Sequence, residues 1–586
     1  MVIETYKDVL LLDIETKTYN NEVNPDNDIH RLTGYYSYNE NKRGLTTSLK
    51  KVQQLINDHK YIVTFNGKYY DIPILERHKL NFKYKYQIDL KEIIKKRAGI
   101  IKLSDGRGRL VDNIDYYSLD NILKLLKLPC GKTGMDYSIL QKLPGEWTNE
   151  EKKILSDYTL NDIDITKQLY EWVEETFESF KYGLSEKDVN GKKYLTTSPS
   201  VDCYKFLCNI TGMEELYDNS NIDHTFQGAY VADPTVEEVR GNIICLDFTS
   251  AYPSSFIQNN LASLDLENGK QKFELYTLKG KYNTKERGKV ETAIYNVFKK
   301  RNKMKAAGDP REYSLKIRQN IFYGLFGSPL FKSVFELNHD AAGDCTMMVR
   351  GWIKFAKDTF EKNGIKFLYA DTDSNYLDIG NVPLEKVLKI RDEIIIKIKE
   401  NVIFPMDDFD MGLDAEIKYI QFFYNKAKTK LAKKHYLYIT KDDKLTIKGL
   451  QIIKSNTSKL AKLIFKDYIK PIILKDLKCK FPEKQIREWI LKELNRDITL
   501  LQTRFFVKNP DKYKTTGGLH SQLSIKYGAG IHYLVKNKIM GVGKGVKYCT
   551  VDEFKGSIND LDISASLSEL ENFVITEQAR KEKSLF

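Results

Sequence analysis

The sequence predicts a mixed α/β protein built from several compact units, and three observations carry that expectation. The chain has 586 residues, room for roughly four units of about 150 residues each. Short apolar runs rich in β-formers alternate with segments of helical spacing. Hydrophobic residues make up 41% and aromatics 12%, which excludes a disordered chain and allows cores that need no disulfide or metal staple.

The elements follow in order. LLLDIET and YIVTFNG read as strands in an α/β region that reaches to about residue 180. Residues 149–178 have helical spacing, with Leu155, Tyr158, Ile163, Leu169 and Trp172 among the apolar positions. The polar stretch 185–200, with Asn-Gly and Ser-Pro breakers, predicts a domain boundary. GNIICLDF near 240 reads as a buried strand. Residues 290–306 and 310–323 predict two helices, rich in Lys and Arg, broken by AAGDP. IKFLYADTDSNYLDI alternates like a hairpin whose turn holds the acids. Beyond 450 the pattern is mostly helical to about 495, then mixed.

Several function classes are excluded. No apolar stretch approaches the ~18 residues that span a bilayer, so no membrane partner is expected. The opening MVIETYKDVLLLDIET carries acids and runs straight into strand-like sequence, unlike a signal or transit peptide. Seven cysteines, at 130, 203, 208, 245, 345, 479 and 549, form no CxxC pair, which points to reduced thiols in a cytoplasmic setting. The net charge is +13, and it is local: between Lys418 and Lys470 stand 14 lysines and three aspartates. Phe422, Phe423, Tyr424, Tyr436 and Tyr438 are interleaved with them. A polyanion that also stacks, meaning nucleic acid, is the natural partner. A solvated basic face is the competing account.

Two constellations carry chemistry. Asp13 and Glu15, two apart at the end of an apolar strand, point to one face. Asp71 ends a second strand-like segment, Asn66-Gly-Lys-Tyr-Tyr70-Asp71, and Asp162 shares a helix face with Tyr158. Four converging carboxylates make sense around hard divalent cations, two of which can activate a water and stabilise a leaving oxygen in phosphodiester cleavage. In the second constellation Asp247 terminates GNIICLD, and Asp371 and Asp373 flank Thr372 at a hairpin turn. Acids from two adjacent strands can hold two Mg²⁺ ions that act on a 3′-hydroxyl and a triphosphate. Arg301 and Lys305 share one helix face, Lys316 and Asn320 another with Tyr323 a turn away, so these cations could clamp phosphates.

The order of these pieces carries a resemblance. DIET, Asn66…Tyr70-Asp71 and Tyr158-x3-Asp162 resemble the three motifs of DnaQ-type 3′–5′ exonucleases, which have an RNase H-like fold. The resemblance implies that Asp13, Glu15, Asp71 and Asp162 bind two metals, that Tyr158 positions the attacking water, and that Thr16, Asn66 and Tyr70 hold a single-stranded 3′ end. Asp247-x2-Ser250-x-Tyr252-Pro253-Ser254, Lys316-x3-Asn320-x2-Tyr323-Gly324 and Tyr369-x-Asp371-Thr372-Asp373-Ser374 resemble motifs A, B and C of family B DNA polymerases. Lys434-His435-Tyr436 resembles the family's K-x-Y element, which grips the primer terminus, and Phe226-Gln227-Gly228-Ala229 its Y-x-G-G/A element. The implied fold is an RNase H-like exonuclease domain followed by a right hand of palm, fingers and thumb.

By that resemblance Asp247 and Asp373 are the main metal ligands, with the Phe248 carbonyl assisting and Asp371 close by. Lys316 is the principal triphosphate contact, with Arg301 and Lys305 beside it. Ser250 and Tyr252 line the nucleotide, Tyr252 excluding a 2′-hydroxyl, and Asn320 and Tyr323 border the nascent base pair. Phe226, Gly228, Thr372, Lys434 and Tyr436 contact DNA. Ser118-Leu119, Lys132, Asp136-Tyr137 and Tyr158-Thr-Leu-Asn-Asp162 are similar to the exonuclease region of protein-primed phage polymerases. Lys132 is then an additional catalytic or substrate-orienting cation, and Ser118, Leu119 and Tyr137 bind the strand end.

The implied division is exonuclease 1–185, linker and first palm segment 186–285, fingers 286–325, second palm segment 326–450, and thumb and tail 451–586. The cofactor is Mg²⁺, two ions per site, with Mn²⁺ able to substitute. The partners are primer–template DNA and dNTPs, bound by a monomer in the host cytoplasm of a phage or plasmid replicon. Ile321 and Ala251 replace the usual Ser and Leu of motifs B and A, which alters the nucleotide pocket but removes no charge. The intervals from Asp247 to Lys316 and from Lys316 to Asp371 look too short for the two insertions of protein-primed relatives. Extension of ordinary primers is therefore expected, with outside help for processivity. The end, Arg580-Lys-Glu-Lys-Ser584-Leu585-Phe586, resembles the hydrophobic tails by which some phage polymerases grip a sliding clamp; an ordinary frayed terminus is the alternative. Two rival readings are an exonuclease whose second half only clamps DNA, and a non-enzymatic DNA-binding module.

Overall fold

The computed structural model describes all residues except 1–7, 19–23, 96–117, 127, 129–130, 132–133, 181–184, 190–191, 197, 219–224, 266–269, 310, 426, 428, 455–456, 495–502, 508–522, 524–525, 527–529, 537–547, 551–566 and 576–586. The chain forms two compact units. One comprises Met1–Gly228, Ser250–Val349 and Lys399–Asp407, the other Ala229–Thr249, Arg350–Ile398 and Asp408–Phe586.

The first unit is organised by a seven-stranded mixed sheet. Its order is Lys42–Thr46, Ile29–Ser37, Val9–Lys17, Tyr61–Thr64, Tyr86–Asp89, Lys192–Thr196, Ser185–Val189. The strand Val9–Lys17 pairs antiparallel with Ile29–Ser37 and parallel with Tyr61–Thr64. It is buried on both faces, which is why LLLDIET reads as a continuous apolar run. The even positions Leu10, Leu12 and Ile14 pack with Val52, Leu55 and Ile56 of helix Leu49–Asp58 and with Ile72 and Ile74 of helix Asp71–Arg77. The odd positions Asp13 and Glu15 face the 32-residue helix Asn149–Phe180.

Two expectations are corrected in this region. The stretch 185–200 continues the sheet instead of leaving it: Ser185–Val189 and Lys192–Thr196 form a hairpin whose second strand pairs in parallel with Tyr86–Asp89. Asn-Gly is a hairpin signal as well as a breaker, and polar residues suit a sheet edge. Asp71 does not end a strand. The strand stops at Thr64, and Asp71 is the first residue of a helix, where a carboxylate favours the exposed N–H groups.

The remainder of the first unit is mostly helical, with one short antiparallel pair, Gln271–Lys272 and Thr277–Leu278. The two predicted Lys/Arg-rich segments are helices Lys289–Ala306 and Glu312–Phe326, packed on each other and on Pro199–Thr211 and Ala251–Gln258.

The second unit is built on a six-stranded antiparallel sheet. Its order is Lys366–Asp371, Ser374–Asp378, Glu238–Phe248, Met411–Tyr424, Leu431–Thr440, Leu445–Lys448. Trp352, fully buried, packs on Phe248 and Phe409. The expected cut at 450 falls inside one core. Tyr419, Phe423, Leu437 and Ile439 of the sheet pack with Leu460, Ile464, Ile473, Phe481, Ile490, Leu570 and Phe573 from beyond it. The helices after 450 are amphipathic and have to bury their apolar stripe, and the nearest apolar face is that of the sheet. Among the described residues no helix is long and apolar enough to cross a membrane, and the six cysteines there are buried free thiols.

Gly449 shows how tightly this sheet edge is drawn. Its φ is +69°, and a Cβ there would lie 1.9 Å from the Lys434 carbonyl oxygen. Both features exclude a side chain. Gly449→Ala should therefore destabilise the protein by about 1–3 kcal/mol. Thermal unfolding would show it as a lowered midpoint, while Gly145→Ala, where nothing lies within 4 Å, leaves the midpoint in place.

Candidate catalytic sites

The N-terminal cluster is made by register. Asp13 lies opposite Gly34 in the antiparallel pair. A Cβ on Gly34 would come within 2.7 Å of Thr159 Cγ2 and 2.9 Å of Ile163 Cγ1. The missing side chain thus lets the helix Asn149–Phe180 lie close over the sheet and bring Asp162 down to Asp13. The carboxylate oxygens of Asp13, Glu15 and Asp162 lie within 4.8 Å of one another. Glu15 also accepts a hydrogen bond from Thr159 Oγ1 at 3.3 Å. A register shift between Glu15 and Thr16 breaks the alternation there, as a bulge does when it re-aims a side chain.

Of the four expected acids, Asp71 stands outside this group of three and lies beside it at its helix start. Its Oδ1 accepts from the Ile14 N–H at 3.1 Å. Burial holds the Asp71 carboxyl well above the usual carboxylate range, and the charge of Asp13 pushes it the same way. An oxygen-only donor set of this kind, anionic and drawn together out of water, fits a hard divalent cation.

The groups around the cluster are neutral hydroxyls. Tyr158 shares a hydrogen bond with Tyr137 between their hydroxyls at 2.9 Å. Burial raises the Tyr158 phenol far above neutrality, and its hydrogen bond with Tyr137 and the charge of Asp162 add to it. It therefore stays protonated and can donate. Thr16 Oγ1 lies 2.5 Å from the Tyr70 hydroxyl. Tyr70 donates to Asp28 Oδ2 at 2.7 Å. His30 stands opposite Thr16 in the register. Burial, with His78 and Arg31 nearby, lowers it to about 4, so it adds no cation at neutral pH.

Sequence reasoning missed three residues here. Asp89 accepts from the backbone N–H groups of Asn66 and Lys68 at 3.1 and 3.0 Å and so moors the Asn66–Tyr70 turn, in which Asn66 has φ +68°. Its signal was available, since it is an acid at the end of a short strand, Tyr86–Asp89, whereas Asp13 lies in mid-strand, four residues before the end of Val9–Lys17. Gly34 carried the weaker signal of a glycine inside a strand pattern. Asp28 had none. Ser118 caps the helix Leu119–Leu126 by accepting from Asn121 N, and Leu119 is buried in the core, not presented on an exposed face. Lys132 and the Arg580–Phe586 tail lie outside the described residues.

The second acid pair sits in the second unit. Strand Glu238–Phe248 pairs with Ser374–Asp378 so that Asp247 lies opposite Ser374, the neighbour of Asp373. Ser374 Oγ donates to Asp247 Oδ1 at 3.1 Å, and the Phe248 N–H donates to the Asp373 carbonyl at 3.1 Å. The turn Asp371-Thr372-Asp373 has Thr372 at φ +69°. Asp371 is already engaged: Lys434 Nζ lies 2.6 Å from its Oδ1, and the Tyr436 hydroxyl donates to Oδ2 at 3.4 Å. Lys434 Nζ also donates to Thr372 Oγ1 at 3.2 Å. Lys434 and Tyr436 are thus brought to the acid turn. Burial raises the Tyr436 phenol, with the Asp371 charge adding, so it too remains neutral.

The remaining predicted residues lie in the first unit. Tyr252 and Tyr323 stack with centroids 4.6 Å apart and planes at 23°. Ser250, in a left-handed conformation, begins the helix Ala251–Gln258 and accepts from Arg301 at 2.6 Å. Arg301 differs from expectation. It is buried and pairs with Glu312 at 3.2 Å, whereas Lys305, one turn on, is exposed, as are Lys316 and Asn320. The cause is Glu312, which enters from the start of the neighbouring helix. Phe226 packs near Gly327 and Gly343, and Gly228 is exposed.

Residues 284–529 match DNA polymerase family B, and residues 10–174 match the RNase H superfamily. The chain is similar to a DNA polymerase of Archaeoglobus fulgidus, 26% identical over 335 residues, 54% of this chain and 40% of that protein. It is similar to a DNA polymerase of Thermococcus gorgonarius, 27% identical over 457 residues, 71% of this chain and 55% of that protein. The chain therefore spans about half the length of these relatives or less. The structure of the family B DNA polymerase from Pyrobaculum calidifontis shares its fold, with a TM-score of 0.53 at 16% identity, covering 96% of this chain and 77% of that one.

The Gly34 contact gives a direct test of how the N-terminal cluster is assembled. Gly34→Val should force the helix bearing Tyr158 and Asp162 off the sheet, weakening Mn²⁺ binding to the acid cluster by at least tenfold in calorimetry with every acid still present. Unchanged binding would show that the close approach is dispensable. With these two matches, the chain carries an RNase H superfamily domain over residues 10–174 and a DNA polymerase family B domain over residues 284–529.

Proposed function

We propose that this protein is a DNA-templated DNA polymerase that extends a primer 3′ end and proofreads by 3′–5′ excision. The observation that supports it best is the presence of two separate acid constellations in one chain. Asp13, Glu15 and Asp162 converge within 4.8 Å in one unit. Asp247 and Asp373 are set by adjacent antiparallel strands in the other.

At the exonuclease site Asp13, Glu15, Asp71 and Asp162 would hold divalent cations, and at the polymerase site Asp247 and Asp373 would, with the Phe248 carbonyl. Mg²⁺, or Mn²⁺ in its place, supplies charge neutralisation at the phosphate and a more acidic oxygen nucleophile when bound. The protein's own groups do the rest. Tyr158, a neutral phenol, orients the water that attacks the terminal phosphodiester. Thr16, Asn66, Tyr70 and Tyr137 hold the strand end. In synthesis the primer 3′-oxygen attacks the α-phosphate in line and pyrophosphate leaves. Lys316 and Lys305 bind the triphosphate, with Arg301 held beside them by Glu312 and Ser250, and the stacked pair Tyr252 and Tyr323 forms a flat apolar wall suited to a sugar and base. Lys434 and Tyr436 engage the primer terminus. Mismatched ends melt more readily than paired ones, which biases them towards the exonuclease site and gives a second selection step.

The functional division is exonuclease 1–185, extended to Thr196 by the sheet hairpin, fingers 286–325, palm on either side of them, and thumb from 451. The exonuclease-region resemblance supports a phage or plasmid replicon, with the monomer working in the host cytoplasm. The short motif intervals support extension of ordinary primers, and the C-terminal resemblance supports a clamp contact there.

A primed template with Mg²⁺, with and without dNTPs, tests this reading. Asp373→Asn should abolish extension and leave excision intact, whereas Asp13→Ala with Glu15→Ala should do the reverse. Excision without extension in the wild type would favour the exonuclease reading. Removing the last six residues should lower processivity only when a sliding clamp is present; equal processivity would sink the clamp contact.

A further inference from the structure

Tyr70 lies between two oxygen groups, and the direction of its hydrogen bonds is fixed. Asp28 Oδ2 accepts from the Tyr70 hydroxyl at 2.7 Å and from the Asn24 backbone N–H at 3.0 Å. The Tyr70 hydroxyl has one proton, and Asp28 takes it. The contact of 2.5 Å between Thr16 Oγ1 and the Tyr70 oxygen must therefore use the threonine's proton. Thr16 then has only lone pairs left to offer.

Asp28 is set to do this and little else. It is completely buried, and its Oδ1 has no hydrogen-bond partner among the described residues. Such a carboxylate costs stability, and an apolar residue would cost less. Its turn is pinned from both sides. Asn24 caps it through hydrogen bonds to its backbone, and Arg77, from the helix that begins at Asp71, donates to the carbonyls of Asp26 and Asp28. The carboxylate is thereby fixed relative to Tyr70, which precedes that same helix.

We infer that Asp28 is a positioning residue that, through Tyr70, holds the Thr16 hydroxyl as an obligate acceptor for a donor on the strand terminus, so that the excision site selects a free 3′-hydroxyl. The substrate group it fits is the 3′-hydroxyl of a terminal deoxynucleotide, which carries a proton to give. A 3′-deoxy end has no such donor, and a 3′-phosphate offers mainly acceptors. This rests on the exonuclease reading and deepens it by assigning the terminal group that the site recognises.

The test is single-turnover excision of the last nucleotide from two single-stranded oligonucleotides that differ only in a 3′-hydroxyl or a 2′,3′-dideoxy end, with Mg²⁺ present. The wild type should favour the hydroxyl end by about tenfold, the worth of one well-placed hydrogen bond, with the difference in KM more than in the maximal rate. Tyr70→Phe, Thr16→Val and Asp28→Leu should each bring the preference to within about twofold of unity. Asp28→Asn, whose amide oxygen can accept the same two hydrogen bonds, should keep it. If Asp28→Leu does not fold, Tyr70→Phe and Thr16→Val decide. A preference unchanged in Tyr70→Phe, or lost in Asp28→Asn, would overturn the assignment. No metal-dependent excision by the wild type on either end would instead overturn the exonuclease reading beneath it.

Discussion

Carboxylates repel, so a protein that gathers them must hold them by something stronger than their own preference. Here that is the backbone hydrogen-bond ladder. In the N-terminal unit the antiparallel pairing of Val9–Lys17 with Ile29–Ser37 fixes Asp13 opposite Gly34, and the helix laid over that glycine delivers Asp162. In the second unit the pairing of Glu238–Phe248 with Ser374–Asp378 fixes Asp247 beside the Asp371–Asp373 turn. A one-residue slip in either ladder would send the acid to the opposite face of its sheet. The apolar residues on each side, Leu10 and Leu12 in one unit and Ile244 and Leu246 in the other, make that slip costly because it would drive the acids into the apolar core that those residues fill. The cores thus lock the registers, and the registers impose the charge clusters.

Both clusters are surrounded in the same way. Tyr70 and Tyr158 in the first unit, and Tyr369, Tyr376 and Tyr436 in the second, are phenols that burial pushes upward, far from neutral pH. A neutral phenol brings a proton to donate without adding a negative charge, and its ring supplies the apolar packing that keeps water from the acids. The rings of Tyr369, Tyr376, Phe422 and Tyr436 pack together with centroids 5.1 to 5.9 Å apart. The hydroxyls of Tyr376 and Tyr436 meet at 3.0 Å. Lys434, which sits on Asp371, is half exposed. It is worth little as a surface pair, so it can give way to another ligand at small cost.

Much of this was legible because catalysis leaves residue types that folding alone does not call for. DIET at a strand end, DTDS at a hairpin turn and the spacing of Lys316, Asn320 and Tyr323 stand out because acids and cations on apolar elements require a reason. What stayed hidden acts across long sequence distances or through the backbone. Asp28 meets Tyr70 over 42 positions, and nothing local marks it. Glu312 looks like any helix-start acid until Arg301 is found on it. Asp71 was placed on the wrong kind of element because Tyr-Tyr-Asp following YIVTFNG extends a β-like run, and only tertiary packing ends the strand at Thr64. The hairpin at 185–196 was read as a linker because a polar edge strand and a linker have the same composition.

The helix Asn149–Phe180 concentrates these constraints. Its middle presents Tyr158 and Asp162 to the acid cluster, and its end carries Glu175, which pairs with Arg311 at 2.7 Å just before the helix Glu312–Phe326. The magnitudes separate the two contacts. Glu175 is 59% exposed, so its pair contributes at most about 1 kcal/mol and cannot anchor the Lys/Arg-rich helices to the exonuclease region. Arg301 and Glu312 are 9% and 20% exposed, and breaking that pair would leave a buried charge uncompensated, which is far more costly. Within this unit the firm joint is therefore the one that ties the two Lys/Arg-rich helices to each other and to Ser250. The tie to the exonuclease helix is soft, so the helix pair can hold its internal geometry whether or not Glu175 is engaged.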